Sequence, residues 1–234
     1  MKNFHLPKKA ARLVILQRIE LISPLLKKVR RFFGRQFFTN FVTRYFLNHN
    51  IVGKRYYEAM QDEFSTFKRF INPEEDNFFL SIGGGLGGLE LIINENLSNK
   101  NFYFIERNFI SKKVKYGWGG KVNNEAYNNL DIQKNFLEIN GMKNSQINIF
   151  DYDKDVLPFK KFDVVISLLS LDYHYDFEIY TAYLKKISKP KTKIIFDTIR
   201  AGHFTKFFKT VEILKNNNDT IHKSKRIMCS QFLN

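Results

Sequence analysis

Residues 77–106 constrain this chain more than any other stretch. Asn77-Phe78-Phe79-Leu80-Ser81-Ile82 is a short apolar run that meets a cluster of glycines, Gly83-Gly84-Gly85-Leu86-Gly87-Gly88. An amphipathic segment with Leu86, Leu89, Leu91 and Ile92 follows, and then a second apolar run, Phe102-Tyr103-Phe104-Ile105, that ends on Glu106. The order is strand, tight turn, helix, strand, acid. Glycines let a backbone approach a ligand closely and open a helix whose first N–H groups are free. The acid stands 21 residues beyond Gly85, the separation at which a nucleotide ribose is held by its hydroxyls. The stretch therefore reads as a site for a nucleoside cofactor.

Downstream the elements alternate. The pattern predicts strands at 77–82, 101–106, 146–150, 162–168 and 192–197, with helices at 86–96, about 124–139 and about 176–187. A short helix near 203–209 and strands near 210–214 and 225–232 close the chain. Such alternation gives a parallel sheet covered on both faces. The expected fold is α/β: a Rossmann-like, doubly wound, mostly parallel seven-stranded sheet with an antiparallel C-terminal edge hairpin, preceded by a basic helical N-terminal extension.

Charge marks out that extension. Residues 1–70 hold 15 Lys+Arg against 4 Asp+Glu, whereas residues 71–234 are nearly balanced at 23 against 19. Two units are expected, an extension at 1–70 that acts as a lid or docking segment, and a cofactor-binding domain at 71–234. Residues 8–38 read as helix interrupted at Pro24, and Lys27, Lys28, Arg30, Arg31 and Arg35 interleave with Phe32, Phe33, Phe37 and Phe38. A solvated basic face is one reading. An anionic surface, membrane face or RNA, contacted through residues 8–55 is another, and a cleaved transit peptide is a third. A further helix at 53–71 leads into the first strand and is expected over the mouth of the cofactor site. No uncharged run reaches the ~20 residues of a membrane span, and the single Cys229 suits a reducing, cytoplasmic setting with the protein soluble or peripheral at a membrane.

The glycines alone decide little. Gly83, Gly85 and Gly88 fit the dinucleotide pattern G-x-G-x-x-G, and Gly83, Gly85 and Gly87 fit G-x-G-x-G equally well. No Gly-Lys-Ser/Thr follows, which excludes a Walker A loop. Asp151, Asp153 and Asp155 have calcium-loop spacing, but Val156 and Phe162 stand where that loop needs glycine and glutamate. No metal site is expected. A dehydrogenase would need a substrate domain, and only 37 residues follow Asp197.

The train Ile149-Phe150-Asp151-Tyr152-Asp153, then Leu157-Pro158-Phe159, then Phe162-Asp163-Val164-Val165-Ile166-Ser167 resembles class I S-adenosylmethionine-dependent methyltransferases over roughly residues 55–234. The resemblance implies that Gly83, Gly84, Gly85 and Gly87 approach the methionine part of S-adenosylmethionine. It also implies that Glu106 binds the ribose hydroxyls and Asp151 the adenine amino group, with Arg107, Tyr152 and Ser167 as further cofactor-binding candidates. The family often carries an acid two residues before the first glycine, where this chain has Ser81. The strand-four loop, Leu168-Leu169-Ser170-Leu171-Asp172-Tyr173-His174-Tyr175, is then the place for catalysis. His174 is the candidate base and Asp172 its orienter or the base itself, with Tyr173 and Tyr175 as pocket walls; alternatively Asp172 caps the next helix.

Tyr116-Gly117-Trp118-Gly119-Gly120, together with Leu171-Asp172-Tyr173-His174-Tyr175, resembles sugar O-methyltransferases of bacterial surface-polysaccharide pathways. Aromatic faces flanked by glycines suit stacking on a sugar or ring, which makes Tyr116, Trp118 and Tyr173 candidates to contact the acceptor. A Trp plugging the sheet edge is the other reading, and Arg200, just past strand five, is a candidate anchor for an acidic or phosphorylated acceptor. The expected acceptor is a hydroxyl of a small molecule or glycan precursor. An RNA methyltransferase using the basic extension, and a catalytically idle methyltransferase-like binding module, are the alternatives. The Asn-Pro-Pro-Tyr signature of base-amino methylation is absent.

Overall fold

The computed structural model describes residues 3–111, 125–217 and 223–233. Seven strands form one sheet: β1 (Phe78–Ile82), β2 (Asn101–Glu106), β3 (Ile147–Asp151), β4 (Phe162–Ser167), β5 (Ser188–Thr198), β6 (Phe208–Asn216) and β7 (Lys225–Phe232). Their order is β3-β2-β1-β4-β5-β7-β6. The first five pair in parallel, and β7 runs antiparallel between β5 and β6. The predicted C-terminal hairpin is therefore present, with its first strand outermost.

Alternation along the central strands builds two cores. Phe79, Phe102, Phe104, Val164 and Ile166 face one side, while Leu80, Ile82, Ile105, Val165 and Ile194 face the other. Side chains burying both faces explain why β1, β2 and β4 read as nearly unbroken apolar runs. The second core is closed by α7 (Phe177–Ile187), whose Phe177 ring meets Phe196 and Phe204. The first is closed by α5 (Gly88–Asn96) and α6 (Leu130–Ile139) together with the N-terminal segment.

That segment is woven into the body. Helix α1 (Lys8–Gln17) has exposed lysines at its start and is buried through Ala10, Ala11, Leu13, Val14, Ile15 and Leu16. His5 and Asn140 exchange hydrogen bonds of 2.8 and 2.9 Å, which pins the start of the chain to the end of α6. A 3₁₀ turn at Ile19–Leu21 leads to α2 (Pro24–Phe37). Pro24 does break the long helical pattern, and it opens the second helix instead of kinking the first. It is the first residue of α2, where a missing N–H costs nothing, and the Ser23 hydroxyl accepts from the Leu26 amide at 3.2 Å. Gly34, at φ 81°, bends α2, which continues through a π turn (Phe38–Val42) into α3 (Thr43–Tyr45).

Helix α4 (His49–Ser65) begins earlier than its apolar pattern suggests, because Asn48 caps it by accepting from Asn50 and Ile51. Likewise α6 starts at Leu130 and not near 124, since Asn129 accepts from the Ile132 amide. The residues just before it, Glu125–Asn128, run extended alongside Phe109 and Ser111.

Candidate active site

A cleft of about 220 Å³ opens at the carboxyl ends of β1, β2 and β4. Glu106 closes β2 there. Its carboxylate is buried and accepts from the Gly85 amide at 2.7 Å, and Asn128, which donates to the Gly85 carbonyl at 3.0 Å, is its other neighbour. Burial is the largest influence on this acid and pushes its pKa up to about 8, although the Gly85 hydrogen bond and the Asn128 amide pull the other way. A protonated acid thus lies at a point where hydroxyl donors would favour the ionised form.

Gly83, Gly84 and Gly85 line the cleft. All three positions are closely packed by protein, Gly84 against the Ser81 hydroxyl. A Cβ on Gly83, whose φ is +66°, would stand 2.0 Å from the Ser170 hydroxyl, and one on Gly85, with φ +68°, would stand 2.3 Å from the Gln17 side-chain oxygen. The glycines are needed to let the β4 loop and α1 close on the turn, whatever else they approach. Gly87 is set back from the cleft, in the left-handed conformation at the start of α5.

The N-terminus of α5 is sealed. The Gly88 amide donates to the Tyr56 hydroxyl at 3.1 Å, and a Cβ on Gly88 would lie 2.5 Å from the Tyr56 ring. A dinucleotide fold keeps that helix end open for a pyrophosphate. Here α4 occupies it.

Beyond Glu106 the wall is aromatic. Arg107 lies over the rings of Tyr152 and Tyr175 at 5.0 and 5.6 Å and pairs with Asp153 at 3.1 Å. Tyr152 meets Tyr180 at 5.7 Å. All four of these lining residues are large and flat, and burial pushes the Tyr175 hydroxyl up to about 12 and the Tyr180 hydroxyl up as well. Asp151, given the adenine by resemblance, is turned away. One of its oxygens accepts from the Asp153 amide at 3.1 Å, Lys154 lies 3.6 Å from the other, and its side chain is not among those lining the cleft. An aspartate at the end of a strand readily closes a turn on the backbone two residues on, and Tyr152 takes the lining position.

The β4 loop is wound tightly. Leu169 and Asp172 adopt φ of 58° and 61°, a region in which side-chain-bearing residues are strained. The amides of Tyr173, His174 and Tyr175 all converge on the Ser170 carbonyl. Ser167 holds the loop to β1 by donating to the Ile82 carbonyl at 2.6 Å and accepting from Leu171 at 2.9 Å. It lies beneath the cleft, outside its lining.

His174 and Tyr173 do line the cleft, with their rings 4.4 Å apart, and Tyr127 flanks the imidazole at 6.4 Å. Burial lowers the His174 pKa, leaving the ring neutral near pH 7, while the carboxylate of Glu125 works in the opposite direction. Asp172 is no partner to it. Its oxygens accept from Thr198 at 2.5 Å and from Arg200 Nε at 2.9 Å, and neither Asp172 nor Arg200 lines the cleft. Arg200 is further engaged with Glu178 at 3.1 Å. Both residues expected at catalysis and anchoring therefore brace the β4 and β5 loops against each other. The acid near His174 is Glu125, which sequence spacing did not single out. Its carboxylate accepts from Tyr127 at 2.5 Å. Tyr116 and Trp118 lie outside the described residues.

The remaining wall comes from the end of α1. Leu16, Gln17, Arg18, Ile19 and Glu20 line the cleft, and Gln17 donates to the Tyr127 carbonyl at 2.8 Å. The 53–71 helix was expected at this mouth. It packs instead behind the glycine turn, where Glu63 holds Arg18 through paired hydrogen bonds of 2.8 and 3.0 Å. Nothing local in the sequence of α1 signals its role, because a buried helix end reads like any other.

The Rossmann-like fold is one shared with solved structures of methyltransferases. A candidate O-methyltransferase from Nostoc punctiforme PCC 73102 superposes with a TM-score of 0.51 at 12% identity, over 78% of this chain and 61% of that one. The mitomycin 7-O-methyltransferase MmcR gives 0.50 at 11% identity, over 84% and 60%. This chain thus spans about three fifths of the length of either. No protein-family model and no curated protein sequence matches it.

Proposed function

We propose that this protein is an S-adenosylmethionine-dependent methyltransferase acting on a hydroxyl of a small molecule or glycan precursor. One observation carries the reading: Glu106, a buried acid at the end of β2, lies in the cleft with its carboxylate on the glycine turn, while Tyr56 stoppers the helix end that a dinucleotide would need. Such a site favours an adenosine over a pyrophosphate. The structural relatives are consistent with this reading through their fold, and the two quoted are described as O-methyltransferases.

Glu106 would accept from the ribose hydroxyls, and Tyr152, Arg107 and Tyr175 offer flat faces and a cation for the adenine end. Gly83–Gly85, with Gln17 and Arg18, would bound the amino-acid end. The bound cofactor supplies an electrophilic methyl group on a sulfonium. The protein's task is then to hold the acceptor in line and to take its proton. His174, neutral and facing the cleft, is the group for that proton, with Glu125 nearby to stabilise the imidazolium. Such a base contributes about 10²–10⁴ in rate.

Calorimetric titration with S-adenosylhomocysteine tests the first half: binding is expected, and Glu106→Ala weakens it at least tenfold. Absence of binding by the intact chain refutes the reading. Methyl transfer screened over hydroxylated acceptors, including nucleotide sugars, tests the second half.

A further inference from the structure

The surface of the α2–α3 segment differs from the rest of the molecule. Phe32, Phe33, Phe37, Phe41, Tyr45 and Phe46 are all exposed, Phe32 at 89% and Tyr45 at 68%. They form one continuous chain of rings. Successive centroids lie 6.5 Å apart for Phe32–Phe33, then 5.3, 5.2 and 5.3 Å along Phe33–Phe37–Phe41–Tyr45, with Phe46 5.5 Å from Phe41. Isolated exposed apolar residues need no explanation, but a contiguous patch of this kind marks a contact surface.

The charge around the patch identifies its partner. Between Glu20 and Glu58 the sequence has eight Lys+Arg and no acid. Lys27, Lys28, Arg31 and Arg44 are exposed, and among the described residues no carboxylate pairs with them. A second copy presenting the same face would set like charges together. A nucleic acid would satisfy the cations, yet its bases need gaps between aromatic platforms, and these rings already touch one another. An anionic bilayer satisfies both features: apolar rings enter the headgroup–acyl boundary and cations meet the lipid phosphates. Among the described residues no helix is long and apolar enough to cross a membrane.

We infer that residues 25–46 dock this protein onto an anionic lipid surface, Phe32, Phe33, Phe37, Phe41 and Phe46 supplying the inserted edge and Lys27, Lys28, Arg31 and Arg44 the headgroup contacts. The inference is independent of the proposed chemistry, since none of these residues lines the cleft.

Flotation of the full chain with vesicles checks it, using phosphatidylcholine alone and phosphatidylcholine with about 30% phosphatidylglycerol, in about 0.15 M salt where weak surface charge is screened. Binding to the anionic vesicles should exceed binding to the neutral ones by at least about tenfold. Phe32→Ser/Phe33→Ser/Phe46→Ser should lose at least about tenfold in partitioning without a change in melting temperature, because these side chains are exposed in the unbound fold. Lys27→Glu/Lys28→Glu/Arg31→Glu should lose the preference for anionic lipid. No flotation, or flotation unaffected by the serine triple, overturns the inference. So does tight binding of a single-stranded RNA in place of vesicles, or a dimer in solution that the serine triple dissociates.

Discussion

The most informative perturbation is pH applied to ligand binding at Glu106. Burial raises this carboxyl to about 8 in the ligand-free protein. At pH 7 only about a tenth of the molecules then carry the ionised form, which is the form able to accept from two ribose hydroxyls. Binding must therefore expel a proton. If the complex is wholly ionised, the apparent Kd falls roughly tenfold between pH 7 and pH 9, or about 1.4 kcal/mol, and about another tenfold lies between pH 6 and 7. Adenosine is the suitable probe, since it has no amino group titrating in that range. Calorimetry in two buffers of different ionisation enthalpy should show release of close to one proton at pH 7 and almost none at pH 9. In Glu106→Gln the dependence on pH should vanish, with affinity near that of wild type at pH 6 and about a hundredfold weaker than wild type at pH 9. An affinity for adenosine that is flat from pH 6 to 9, with no proton release, would refute the assignment of Glu106 to the ribose.

Three further outcomes are expected. His174→Asn should lower kcat about 10²–10³-fold with cofactor affinity unchanged within about threefold, and should remove the acidic limb of the pH–rate profile; an unaltered limb excludes His174 as base. Asp172→Ala leaves Thr198 and Arg200 without their acceptor and should cost about 1–3 kcal/mol in denaturant unfolding, with Arg200 partly repaid by water; at saturating substrate the activity of the folded fraction should stay within a fewfold, and a collapse of kcat at full folding would restore Asp172 to the chemistry. Glu90, buried on α5, is raised to about 7 chiefly by burial, against the pull of Ser81. With a folded pKa above the unfolded value of 4.5, its stabilising protonated form is intact below about pH 4.5 and is lost as pH rises through 7. Glu90→Gln should therefore raise the melting temperature at pH 8 and leave it nearly unchanged at pH 5, which scanning fluorimetry across pH reads directly.

Much of this molecule was legible because its strands bury both faces. Phe79-Leu80 and Val164-Val165 each send one residue to either core, and such runs flanked by glycine or acid have few other ways to fold. Glu106 was legible for the same reason, as a carboxylate ending an apolar strand. What local pattern could not supply was the direction of polar side chains once several partners compete. Asp151 and Asp172 had the right addresses, but nearby amides, Thr198 and Arg200 offered them better contacts than the cleft did. Glu125 and Gln17 reach the site from segments whose spacing carries no signature. The aromatic and basic run at 27–38 was visible as composition, and which rings stay exposed was decided by how α2 bends at Gly34 and which residues α1 leaves uncovered.

Tyr56 has a wider consequence. In a Rossmann-like sheet the choice among nucleoside ligands is commonly traced to the acid that ends the second strand, as if exchanging it would exchange the ligand. Here a phenol from a helix preceding the sheet plugs the adjoining turn. Rewriting position 106 alone would give no foothold to a diphosphate, because its oxygens would have nowhere to lie until that plug was withdrawn. On the proposed reading, selectivity in this chain is written partly outside the strand–turn–helix unit, in a residue 27 positions before Gly83, and any attempt to retune the site has to begin there.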